Sequence, residues 1–184
     1  GSAMKKLIKI TFLLFISGCS IFQQPEKFEC TPQQFQSTAD TDSKETPYYI
    51  SEQFSNHALD NYTIAQIKKK YSRSLELKTT PIENIHDPSI IDTIYKFSNA
   101  TNKISFYRAR HRDFIRTFEV TKPYFNLYGC VSIGMQKKEF AKQFNLPTSI
   151  PDTIKIGNKT KTAVLTFFFE DNKVSKIEST PYMD

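Results

Sequence analysis

Three cysteines, three histidines and a run of arginines are the side chains of this chain that could carry chemistry. Arg108, Arg110, His111, Arg112 and Arg116 crowd one short stretch. A guanidinium is planar and always charged, and its fork of donors suits carboxylates, phosphates and aromatic faces. The run therefore reads either as a partner-binding patch for anionic head groups or an acidic protein surface, or as a solvated hairpin tip. His57, His86 and His111 are scattered among unrelated segments, and no Ser or Cys stands in a recognisable elbow or beside a basic partner. No G-x-x-x-x-G-K-[ST], G-x-G-x-x-G, H-E-x-x-H or G-x-S-x-G motif occurs. The expectation is a non-enzymatic protein with no catalytic residue, no metal or other cofactor and no small-molecule substrate.

A second kind of chemistry is in prospect at Cys19. Lys5, Lys6 and Lys9 form a positive start, residues 10–16 an apolar stretch too short to span a bilayer, and the segment closes on Ile16-Ser17-Gly18-Cys19. Gly1-Ser2-Ala3 precede Met4 and read as an expression remnant. The arrangement resembles the bacterial lipoprotein signal, in which a small residue precedes an obligatory Cys. The resemblance implies cleavage after Gly18 and a diacylglycerol on the Cys19 thiol, with acyl chains such as palmitate. Each buried methylene contributes roughly 0.8 kcal/mol, so two or three chains hold a soluble body durably on a membrane. Ser20 rather than Asp follows the Cys, which in that pattern implies the outer membrane, facing the periplasm. The alternative is an ordinary secretory signal.

Charge and cysteine usage agree with export. Lys5, Lys6 and Lys9 make up half of the formal net charge of +6, so a nucleic-acid partner is not required. With Cys19 taken by lipid, Cys30 and Cys130 remain, and two thiols in an oxidising compartment form a disulfide. It would close a loop of about 100 residues, worth up to about 4–5 kcal/mol in the chain-entropy model. The alternative is two unpaired thiols.

These residues need elements to position them. The chain of 184 residues, 39% hydrophobic, suits one ordinary domain or two small ones. Residues 20–47 are rich in Gln, Ser, Thr, Asp, Glu and Pro, and predict a flexible tether behind the lipidated Cys19. Ile50, Phe54 and Ala58 predict a helix over 51–59. Thr63 and Gln66 make a capping box for a helix whose inner face carries Ile64, Ile67 and Tyr71. Pro81 and Pro88 punctuate a loop, and strands follow over 90–97, 103–109 and 114–120, with a polar turn over 110–113.

The same order then repeats. An amphipathic helix over 134–145 carries Phe140 and Phe144, Asp152-Thr153-Ile154 opens a strand as Asp92-Thr93-Ile94 does, and a Phe-rich strand over 165–169 turns through 170–173 into 174–177. The expected fold is α+β: antiparallel meanders with short helices on one face, in two tandem helix-then-meander units over 48–122 and 123–184. The alternative is a chance likeness of amphipathic helices and Phe-rich strands. By alternation Leu165, Phe167 and Phe169 face the core, and Phe168 points away, either covered by a helix or left as an interface anchor.

Ser132-Ile133-Gly134-Met135, the helix with Phe140 and Phe144, Leu146-Pro147 and the closing Phe167-to-Val174 hairpin together resemble the SmpA/OmlA-type outer-membrane lipoproteins. The likeness covers residues 130–180. Gln136 departs from the usual Ser/Thr cap, Asn145 replaces a helix-ending Gly, and Asn61-Tyr62 stands where the first unit would carry Gly-Met. Two such units in tandem resemble the β-lactamase-inhibitor-protein architecture. The resemblance implies a lipoprotein, anchored through Cys19, that binds another envelope protein as a scaffold or assembly accessory. The alternatives are an inhibitor or immunity lipoprotein that blocks a hydrolase or toxin, and a hydrolytic enzyme with an unrecognised site.

Overall fold

Thr63 and Gln66 do what their spacing predicts. The computed structural model describes residues 35–40, 46–110 and 112–180. In it the Gln66 amide donates to Thr63 Oγ1 at 3.2 Å and the Thr63 amide donates to Gln66 Oε1 at 3.0 Å, satisfying two orphan donors at once. The helix so started, α2 (Ile64–Tyr71), buries Ile64 and Ile67 and leaves Lys68, Lys69 and Lys70 in water. Before it lies α1 (Glu52–His57), shorter than the expected 51–59, with Phe54 fully buried. The last helix, α3 (Lys137–Gln143), has no side-chain cap at Gln136. Its first amide, that of Lys137, instead donates to Asn172 O at 2.8 Å. Asn145 takes the left-handed conformation at φ +53°, and the Leu146 amide reaches back to Ala141 O at 2.8 Å, closing the helix as a glycine would.

Eleven strands accompany them: β1 (Thr38–Asp40), β2 (Tyr48–Ile50), β3 (Glu76–Glu83), β4 (Ile91–Ser98), β5 (Lys103–Ala109), β6 (Arg112–Val120), β7 (Asn126–Leu127), β8 (Val131–Ser132), β9 (Thr153–Gly157), β10 (Val164–Glu170) and β11 (Lys173–Thr180). Nine form one sheet in the order β1-β2-β9-β10-β11-β6-β5-β4-β3, and β7-β8 pair separately. Every neighbour in the large sheet is antiparallel except β2 and β9, which are parallel. The fold is α+β. Each of α2 and α3 leads into a meander, β3 to β6 and β9 to β11. The two meanders meet through their last strands, at Ile177↔Val120 and Glu178↔Glu119. They share one sheet and one core.

That core is built of phenylalanine, in a chain without Trp. Phe54 of α1, Phe140 of α3 and Phe144 just past its end pack on Phe167 of β10, with ring centroids 4.7–6.3 Å apart. Tyr62, at the head of α2, lies 5.0 Å from Phe118 of β6. Leu165, Phe167 and Phe169 are buried and Phe168 points away, as alternation predicts. Edge-to-face and offset contacts let flat rings fill the space between short helices and a broad sheet.

Three expectations need correction. The tether does not run to Pro47, because Phe35 is fully buried and stacks 5.2 Å from Phe144. Its amide donates to Gln143 O at 3.2 Å, and β1 pairs with β2. One aromatic anchor outweighs the polar composition around it. Pro81 does not sit in a loop: it lies inside β3, the last strand of the sheet, where a missing amide donor costs no ladder bond. Pro88 is in the β3–β4 loop. The turn expected over 110–113 is tighter, since Ala109 already pairs with Arg112 and Arg110 bends at φ +51°.

Cys130, in the β7–β8 turn, is disulfide-bonded. Cys19 and Cys30 lie outside the described residues. No helix among the described residues is long and apolar enough to cross a membrane.

Candidate functional site

Strand alternation sorts the arginine run onto two faces. In the first meander Phe97, Ile104 and Phe118 sit in register on the side of the sheet that the helices cover. Arg108 belongs to that side. It donates to both oxygens of Asp113, at 2.6 and 2.9 Å, and lies 5.1 Å over the Tyr95 ring. Its pairing with Asp113 raises its proton affinity further, so this cation is already committed. Arg112 belongs to the opposite side and stacks 4.8 Å over Phe114. Arg110 occupies the hairpin tip, and Arg116 falls where β6 bulges. His111 lies outside the described residues. Among the described arginines Arg108 is thus set apart, already paired with Asp113.

The face away from the helices carries something else. Thr80, Ile94, Tyr107 and Phe114 stand directly across from one another on β3, β4, β5 and β6. Ile94 and Tyr107 are half-buried and Phe114 is 41% exposed. Phe168 shares this face on the second meander, half-buried with Lys176 Nζ 5.4 Å over its ring. Beside Phe114, β6 and β11 part after only two register pairs. A groove of about 350 Å³ opens beside Phe114 on the helix side of the sheet, lined by Ser55 and Asn56 of α1, Leu59, Ile115 and Val164.

Beside this row, on the same face, lies a buried carboxylate. Asp92 Oδ2 accepts from Asn84 Nδ2 at 2.6 Å and from the Tyr107 hydroxyl. The Tyr107 bond, more than any other influence, holds the Asp92 carboxyl below the usual range against the opposing effect of burial. The same bond pushes the Tyr107 phenol up. Asn84 also works in the other direction: its Oδ1 accepts from the amides of His86 and Asp87, at 2.9 and 3.1 Å. Asp87 in turn accepts from the Ser89 amide at 3.1 Å. The β3–β4 loop is thus tied to the sheet, and Ile85 and Ile91 stand out at its ends, 80% and 60% exposed.

This constellation supplies no activated nucleophile, and among the described residues no group of three His, Cys, Asp or Glu could hold a metal ion. What it offers is a rigid aromatic and aliphatic surface edged by guanidinium groups, the composition of a protein-binding patch. The run of arginines drew sequence reasoning to the β5–β6 hairpin. It missed Asp92, Tyr107 and Asn84, whose partnership spans three elements. A carboxylate in the otherwise apolar Ile91-Asp92-Thr93-Ile94 was the available signal.

Comparison with protein-family models, curated proteins and solved structures finds no match for this chain. The likeness to SmpA/OmlA-type lipoproteins therefore rests on residues 130–180 alone.

Proposed function

We propose that this chain is an exported lipoprotein, acylated at Cys19 and held on the outer membrane facing the periplasm, whose body binds another envelope protein without catalysing a reaction. The observation that carries the binding reading is the partly exposed row Ile94–Tyr107–Phe114, flanked by Arg112. Large apolar side chains held rigidly at a surface favour burial against a partner, and an aromatic ring under an arginine is a common anchor pair at interfaces. The signal-like start and the two-thiol pattern support export. A second reading, an inhibitor or immunity lipoprotein gripping a hydrolase or toxin, draws support from the two meanders joining into one continuous sheet.

A photo-activated crosslinking residue placed at 114, with a control at the exposed Lys138 of α3, tests the site in intact cells. A discrete adduct from position 114, absent from position 138, is expected. A membrane-protein adduct favours the scaffold reading and a soluble enzyme silenced by binding favours the second, whereas equal labelling from both positions refutes the surface. Cys19→Ala is expected to release the protein from membranes; continued membrane attachment would refute the anchor.

A further inference from the structure

A second cleft, remote in the fold from the Ile94–Tyr107–Phe114 row, has a lining of another kind. It holds about 230 Å³ between the C-terminal part of α2 and the β6–β7 loop. Asn61, Gln66, Lys70, Tyr71, Tyr124 and Asn126 line it. Tyr71 and Tyr124 stack at 5.3 Å with their planes 29° apart, and the Tyr71 hydroxyl donates to Tyr124 O at 3.2 Å. Both rings rest on the buried Phe125, at 4.9 and 4.7 Å. The aromatic wall is therefore fixed from behind, yet Tyr124 keeps 42% of its surface in water.

The polar groups facing that wall are uncommitted. Among the described residues nothing bonds to the side chains of Asn61, Lys70 and Asn126, and the Gln66 side chain is engaged only through its oxygen, by Thr63. An amide side chain both donates and accepts, which is what a pair of neighbouring hydroxyls requires. The exposed part of the Tyr124 ring suits the apolar C–H face of a pyranose. The volume lies below the roughly 300–1,000 Å³ of clefts that take larger ligands, so the cleft accommodates one ring rather than a length of peptide. Among the described residues no carboxylate lines it, and Lys70 is the one charged group that does. A ligand with a single negative charge would form a charge-assisted hydrogen bond there.

We infer that this cleft is a saccharide subsite for a sugar bearing a carboxylate, stacked on Tyr124 and paired with Lys70. Both a wall-type amino sugar and a uronic acid of a polysaccharide present that chemistry. The inference does not depend on the protein-binding reading of the sheet face.

The test is an amide-shift titration of the ¹⁵N-labelled full chain with N-acetylmuramic acid, glucuronic acid and neutral N-acetylglucosamine. The acidic sugars are expected to move the amides of Gln66, Lys70 and Asn126 with a Kd of about 0.1–1 mM, ordinary for so small a ligand. N-acetylglucosamine is expected to bind about tenfold more weakly. A preference between the two acids tells which source the cleft suits. Lys70→Gln, a surface change that leaves the core untouched, should erase the preference for acid, and Tyr124→Ala should abolish shifts from all three. The inference is overturned if no sugar moves these amides, if the neutral sugar binds as well as the acids, if Lys70→Gln leaves the preference intact, or if a tyrosine-containing peptide alone occupies the cleft.

Discussion

Phe35→Ala separates a folded N-terminal segment from a tether more cleanly than any other change. The wild-type ring is fully buried and lies 4.9 Å from Phe54, 5.2 Å from Phe144 and 5.4 Å from Tyr128. Truncating a core Phe to Ala typically costs about 3–5 kcal/mol, transfer and cavity terms together. The segment can detach from the rest of the fold, which caps the loss, so a value at the lower end, about 3 kcal/mol, is expected. At about 2–4 °C per kcal/mol for a chain of this size, the midpoint should fall by roughly 6–12 °C. Urea unfolding followed by circular dichroism gives the free energy, and a thermal scan gives the midpoint. Phe35→Leu, which retains most of the apolar volume, should lose less than half as much. A Phe35→Ala midpoint within about 1 °C of wild type would refute the reasoning, because a residue outside the core leaves no cavity.

Three further outcomes follow from particular contacts. A Cβ on residue 157 would overlap the Tyr48 hydroxyl oxygen and lie 2.9 Å from Ala163 O; Gly157→Ala should therefore cost about 1–3 kcal/mol in urea unfolding, and a neutral result would refute the close approach. Lys176 bridges Glu119, at 2.9 Å, and Glu178 across the seam of the two meanders. Those carboxylates stand directly opposite each other; Lys176→Gln should cost up to about 1 kcal/mol, with Glu119→Gln added back restoring most of it. Asp92 titrates below the ordinary carboxylate value in the fold, chiefly because of Tyr107, so its contribution is present above about pH 4 and is lost as pH falls through the folded value. Tyr107→Phe should move the Asp92 titration upward in a carbon-detected NMR pH series; an unmoved titration would refute the assignment of cause.

Much of the fold was legible along the chain because it is written in local patterns. The Thr63–Gln66 box, the alternation through Leu165, Phe167 and Phe169, and the left-handed Asn145 depend on neighbours within a turn or a strand. The candidate site was legible only in part. Arg112 was among the residues singled out and Phe114 was not, and the pairing of Arg108 with Asp113, which commits that guanidinium, depends on which face each strand residue takes. The sugar-sized cleft carried no mark at all, since Tyr71 and Tyr124 come from a helix and a loop far apart in sequence.

Local chemistry alone determined the element types, the amphipathic faces and the signal-like start, since propensity, capping and periodicity act over a few residues. Tertiary structure alone decided that Phe35 belongs to the core, that Pro81 sits on an edge strand, and that two meanders share one sheet. Each of those depends on contacts between residues distant in the chain, whose free energy is realised only when the surfaces meet.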